Sequence, residues 1–210
     1  MRFLAAGLAC TLVITSAVSA QNANGSLLTP APASPSVSEK WNLFETETFA
    51  PITLLGGAFN AGISQATNSA PQYGHGIWPG YTERFGAGIG DIGSQNFFGD
   101  FLMASALHED TRYVRRGPGL KFWSRVGYAI SRSVVTHKDS GATTFNWSNV
   151  LGTGMSATLS NAYYPPANRT VGITTANWAA GIAGSGFANL FPEFWPDLCG
   201  WISQRLHRGR

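Results

Sequence analysis

Residues 170–189, TVGITTANWAAGIAGSGFAN, contain no charged side chain, and Gly172, Ala176, Ala180, Gly184 and Ala188 recur at every fourth position. Four-residue spacing stacks side chains on one helix face. A stripe of Gly and Ala there makes a flat surface that a second backbone can approach closely. Gly152, Ser156 and Ser160 repeat the device in the stretch before it, and Gly86 and Gly90 repeat it further upstream. This pattern sets the fold class: mainly α, a compact bundle of about five to six helices packed through Gly, Ala and Ser.

Working outward, Tyr163-Tyr164-Pro165-Pro166-Ala167-Asn168-Arg169 reads as the turn of a tight helical hairpin. Its first arm is expected from Trp147 to Tyr163 and its second from Thr170 to just before Pro192. Upstream, Thr82 is placed as the N-cap of a helix reaching His108. A further helix is expected over 120–137, where Phe122, Val126, Ile130 and Val134 repeat at four-residue spacing. Residues 50–66 form a Gly-rich candidate helix, and a short aromatic helix is expected over 197–206. Repeated ten-residue alternating segments, the mark of a membrane β-barrel, are not seen.

The N-terminus reads as a secretory signal. Met1-Arg2 is followed by an apolar run to about Ile14, and small residues lead to Ala20. The run is too short to span a bilayer, which takes about 20 residues. Residues 1–20 are therefore expected to be a signal peptide and 21–40 a disordered Pro/Ala/Ser-rich linker. Residues 41–210 are expected to form one helical domain. Cleavage would leave Cys199 as the only cysteine, expected to be buried rather than reactive.

Charge bounds the partners. Lys and Arg number 14 against 11 Asp and Glu, and charged residues make up 12% of the chain. That is about half the usual share. The net charge is too mild for a nucleic-acid partner, while the scarcity of charge leaves little to cover a water-soluble domain. Only Arg169 is charged between Asp139 and Glu193, and residues 48–82 hold only His75. Membrane lipid or an envelope protein is the expected partner, and the periplasm or outer-membrane-associated envelope the expected location.

Candidate sites fall in three groups. Lys121, Arg125 and Arg132 lie on one side of the expected 120–137 helix and read as a basic face for a ligand or a membrane surface. His108, Glu109, Asp110 and Arg112 crowd a helix end and are the candidate acid–base residues. With His137 and Asp139, His108 and Glu109 would make a candidate metal set, although the His-Glu-x-x-His spacing is absent. Gly88-Ile89-Gly90-Asp91-Ile92-Gly93 matches G-x-G-x-x-G, but it lies within a helical stripe with no strand before it and reads as packing glycine. No cofactor is expected.

The segments Leu107-His108-Glu109-Asp110-Thr111-Arg112-Tyr113, Asp139-Ser140-Gly141, Phe145-Asn146-Trp147-Ser148, Ser160-Asn161-Ala162-Tyr163-Tyr164-Pro165 and Glu193-Phe194-Trp195-Pro196-Asp197 resemble a group of exported bacterial proteins with no assigned activity. The resemblance covers roughly residues 80–200 and implies a bacterial envelope setting without catalytic roles. Three functions follow as expectations. The first is a non-enzymatic envelope protein, membrane-associated or partner-binding. The second is a small secreted enzyme or metal-binding protein using His108, Glu109, Asp110 and Arg112. The third is a helical bundle that holds an apolar ligand or lipid.

Overall fold

The computed structural model describes residues 34–208, so the expected signal peptide and most of the expected linker lie outside the described residues. Helix α1 (Val37–Phe49) starts inside the stretch expected as linker. The cause is local: the Ser36 hydroxyl accepts from the Glu39 N–H, and the Glu39 carboxylate accepts from the Ser36 N–H, a reciprocal capping box. Helix α2 (Pro51–Thr67) opens on a proline, which suits a first turn, and stops at Asn68 in the left-handed region. Helix α3 (Thr82–Asn96) runs on through wider, π-type turns (Phe97–Met103) to Leu107. Thr82 lies inside this helix rather than capping it, and its hydroxyl donates to the Pro79 carbonyl.

The 120–137 expectation is corrected. Helix α4 covers only Phe122–Ser131. Val134, Val135 and Thr136 are β-branched and prefer a pleated surface. They lead into strand β2 (Val135–Lys138), which pairs antiparallel with β1 (Glu109–Asp110) on one side and β3 (Thr143–Phe145) on the other. Helix α5 (Trp147–Ser160) is capped by the Asn146 side chain, which accepts from the Asn149 N–H. Helix α6 (Val171–Ala188) is capped by Thr170. Helix α7 (Leu190–Arg208) begins seven residues earlier than expected. Pro192 falls in its first turn, where a missing N–H costs nothing, and Pro196 is carried within it.

The α5–α6 hairpin forms as expected, with its arms antiparallel. Trp178 donates to the Val150 carbonyl, Asn149 to Ser185 Oγ and Thr174 to Asn161 Oδ1. Close packing is tightest where α5 crosses α3. A Cβ on Gly152 would lie 2.4 Å from Gly99 Cα and 2.5 Å from its nitrogen. One turn along, the Ser94 and Ser156 hydroxyls meet at 2.7 Å. On α6 the packing face differs from the expected stripe. Gly172, Ala176, Ala180, Gly184 and Ala188 are exposed, and close approach occurs at Gly181 (against Gln95 and Thr153) and Gly186 (against the Ile130 carbonyl).

The distribution of polarity is inverted. The fully buried apolar side chains are small, led by Ala61, Ala104 and Ala129, whereas the largest fully buried side chains are Glu109, Glu193, Thr136 and Ser148. Large apolar residues point outward on several helices, including Phe59 (73% exposed), Trp123 (78%), Val171 (81%) and Phe187 (64%). A water-soluble domain of this size ordinarily does the reverse with its largest apolar side chains.

Candidate functional site

The His108 group does not converge. Successive strand residues point to opposite faces, and β1 separates Glu109 from Asp110 in this way. Glu109 is buried, and its Oε2 accepts from the Ser148 N–H (2.9 Å) and hydroxyl (2.8 Å), which caps the start of α5. Asp110 forms a two-point ion pair with Arg112 (2.8 and 2.7 Å). His108 ends α3 in the left-handed region (φ 54°) with an exposed ring. Its Nδ1 lies 3.6 Å from Asp139, which is itself paired at 2.9 Å with the buried Lys40 ammonium. His137 Nδ1 accepts from the Arg132 guanidinium (3.0 Å). Burial first, and then the Arg132 charge, holds its imidazole below the ordinary histidine range. The expected metal set of His108, Glu109, His137 and Asp139 is therefore divided among separate pairs. Among the described residues no group of three His, Cys, Asp or Glu is placed to hold a metal.

The basic face is also corrected. Lys121 is exposed, but Arg125 and Arg132 are buried. Arg125 donates to Glu193 Oε1 (2.6 Å), to the Glu193 carbonyl (2.7 Å) and to Asp197 (2.7 Å). Arg115 pairs with Asp197 as well. Glu193 also accepts from the Tyr113 hydroxyl and from the Arg116 and Gly117 N–H groups. Burial alone would raise its carboxyl; the Arg125, Arg116 and Tyr113 donors outweigh that and hold it below the ordinary range. The sequence presents these acids as part of an aromatic corner. Their partners sit more than 65 positions away, and no local pattern announces the hub.

A cavity of about 540 Å³ lies among α2, α3, α5 and α6, within the usual range of about 300–1,000 Å³ for small-molecule sites. Asp91 sits on its wall, and its two oxygens accept from Tyr163 (2.6 Å) and Tyr164 (2.7 Å). Burial raises the Asp91 carboxyl, and the two tyrosine donors only partly counter it. Gly90, in the Gly-rich motif, leaves room for Tyr163: an added Cβ would touch its ring at 3.4 Å. Gly90 and Gly93 are thus packing glycines, as expected, and Gly90 seats the clamp around Asp91, whereas nothing lies within 4 Å of a Cβ on Gly88. Arg84, also on the wall, has both terminal nitrogens occupied. They donate to Gln65, Asn68 and the carbonyls of Ala70, Gly74 and Gly80, tying down the loop before α3. Asn60, Gln95 and Asn177 line the same space from α2, α3 and α6.

Comparison with known proteins returns no match to a family model, to a curated protein or to a solved structure.

Proposed function

We propose that the protein is an exported, non-enzymatic component of the bacterial envelope, held at a membrane by its apolar exterior. The inverted distribution of side chains carries this reading. Burying ion pairs and serines while exposing Phe59, Trp123, Val171 and Phe187 is unfavourable in water, where each large apolar side chain forgoes about 1.5–3 kcal/mol of burial. Lipid reverses that sign. Among the described residues no helix is long and apolar enough to cross a membrane. The reading is therefore of helices lying in the bilayer interface, a zone that favours Trp, and Trp123, Trp147 and Trp201 are all exposed. The N-terminal signal and the resemblance over residues 80–200 support the envelope setting. The pairing of Glu109 with Ser148 and of Asp110 with Arg112 leaves the His108 group without a shared point for catalysis.

Fractionation of cells expressing the full chain tests the proposal. The mature protein, beginning near Gln21 by mass spectrometry, should sediment with membranes, resist a high-salt wash and dissolve on adding detergent. Recovery of the mature chain in the supernatant without detergent would overturn it.

A further inference from the structure

Helices α4 and α7 meet in a corner that is both aromatic and positively charged. Between residues 114 and 126 and between 190 and 206 the sequence holds Arg115, Arg116, Lys121, Arg125 and Arg205 against Glu193 and Asp197. Both acids are consumed inside the corner, where Arg125 pairs with Glu193 and Asp197 and Arg115 with Asp197. Arg116, Lys121 and Arg205 are exposed, and among the described residues none of them has an ion-pair partner. Only Lys121 of the basic face expected from sequence remains at the surface; the fold replaces Arg125 and Arg132 with Arg116 and Arg205.

Apolar surface runs between these cations. The Phe122 ring lies 5.1 Å from the exposed Trp123 ring and 5.1 Å from Phe194. Phe194, Leu198, Trp201 and Arg205 follow one another at four-, three- and four-residue spacing, which is one face of α7. The surface therefore continues from Phe194 along α7 to exposed Trp201, and the Arg205 guanidinium sits 4.9 Å from that ring. A solvated face needs no such rings, and an acidic partner needs only the charges. An anionic bilayer surface answers both, because Trp settles at headgroup level while Lys and Arg extend their stems to reach the lipid phosphates.

We infer that this corner docks on a membrane surface rich in anionic phospholipid. The inference rests on membrane attachment and names the docking element and the lipid class. Each cation held near an anionic surface raises affinity about fivefold, so the three together give roughly a hundredfold preference.

The experiment is vesicle flotation with the protein as the cell processes it, purified in detergent and diluted below its micelle-forming concentration. The vesicles are phosphatidylcholine alone, or phosphatidylcholine and phosphatidylglycerol in a two-to-one ratio. Binding to the mixed vesicles should be about a hundredfold tighter at about 0.1 M salt, and the gap should close as salt screens the charges. Lys121→Gln/Arg205→Gln should lose about 25-fold on mixed vesicles and nothing on phosphatidylcholine, with unchanged circular dichroism. Trp123→Ser/Trp201→Ser should weaken binding to both. Equal binding to the two vesicles would overturn the inference and leave membrane attachment standing, whereas flotation with neither would remove attachment itself. A preference that survives Lys121→Gln/Arg205→Gln, or binding untouched by Trp123→Ser/Trp201→Ser, would also overturn it. So would a dimer in detergent that Trp123→Ser/Trp201→Ser renders monomeric, which would give the corner to a second copy.

Discussion

Among the described glycines, Gly152 is the one where an added methyl group (Gly152→Ala) should do most damage. The new Cβ would fall 2.4 Å from Gly99 Cα, 2.5 Å from Gly99 N and 3.0 Å from the Phe98 carbonyl carbon. Carbon atoms in contact sit about 3.5–4.0 Å apart, so α3 and α5 would have to separate by about 1 Å. Every clashing atom is backbone, and no rotamer change relieves it. Overpacking of this kind costs about 1–3 kcal/mol, sometimes more. The substitution also gains about 1 kcal/mol of helix propensity, which would mask part of the cost. Gly86→Ala is the internal control: it lies in a helix, nothing is within 4 Å of its Cβ, and it gains the same propensity. The two variants should then differ by the packing cost alone, which at about 2–4 °C per kcal/mol in a chain of this size is roughly 2–12 °C in melting temperature. Thermal unfolding of both, followed by circular dichroism in one detergent, measures it. Equal melting temperatures would refute the close approach at Gly99.

Glu193→Ala should destabilise by about 3–5 kcal/mol, because it leaves the buried Arg125 guanidinium short of its main counter-charge. Its carboxyl is held below the ordinary 4.5, so its contribution is full above that pH and is lost on acidification through the lowered value; the variant should show a shallower acid limb in melting temperature against pH. Asp91 has the opposite sign. Its raised carboxyl favours the protonated form in the fold, so its contribution declines as pH rises above the ordinary 3.8. Asp91→Asn should therefore gain on the parent between pH 4 and pH 8, and a pH-independent difference between the two would count against the burial of Asp91. Asn146→Ala removes the acceptor for the Asn149 N–H and the Ser148 hydroxyl, and should cost about 1 kcal/mol in chemical denaturation.

Helices with strong local signals were readable from sequence. The uncharged hairpin, its Pro-Pro turn and the small-residue row Gly152, Ser156 and Ser160 all appear in the fold where spacing puts them. Boundaries were less readable. Ser36 and Glu39 carry a capping box that starts α1 within an apparently extended linker. Val134 continues a four-residue apolar rhythm, yet it lies in a turn, and Val135–Lys138 pairs as a strand because β1 and β3 offer it hydrogen bonds that no helix period reveals. The row on α6 illustrates a further limit: periodicity shows that Gly172 to Ala188 share a face, but not which way that face points. The same holds for the candidate sites. His108, Glu109, Asp110 and Arg112 are neighbours in sequence that β1 and the adjacent turn send to different partners. Asp91 and Glu193, whose local sequence suggests only helix packing and an aromatic corner, become centres of hydrogen bonding through residues about 70 positions away.

What the sequence determined by itself was what local periodicity and composition can encode: helices with small-residue faces and low charge. Only the tertiary structure decided that Glu109, Arg125 and Glu193 go inward while large apolar groups such as Phe59 and Trp123 go outward. Burial and pairing depend on which faces meet, and that is settled by contacts between distant segments rather than by any one stretch of chain.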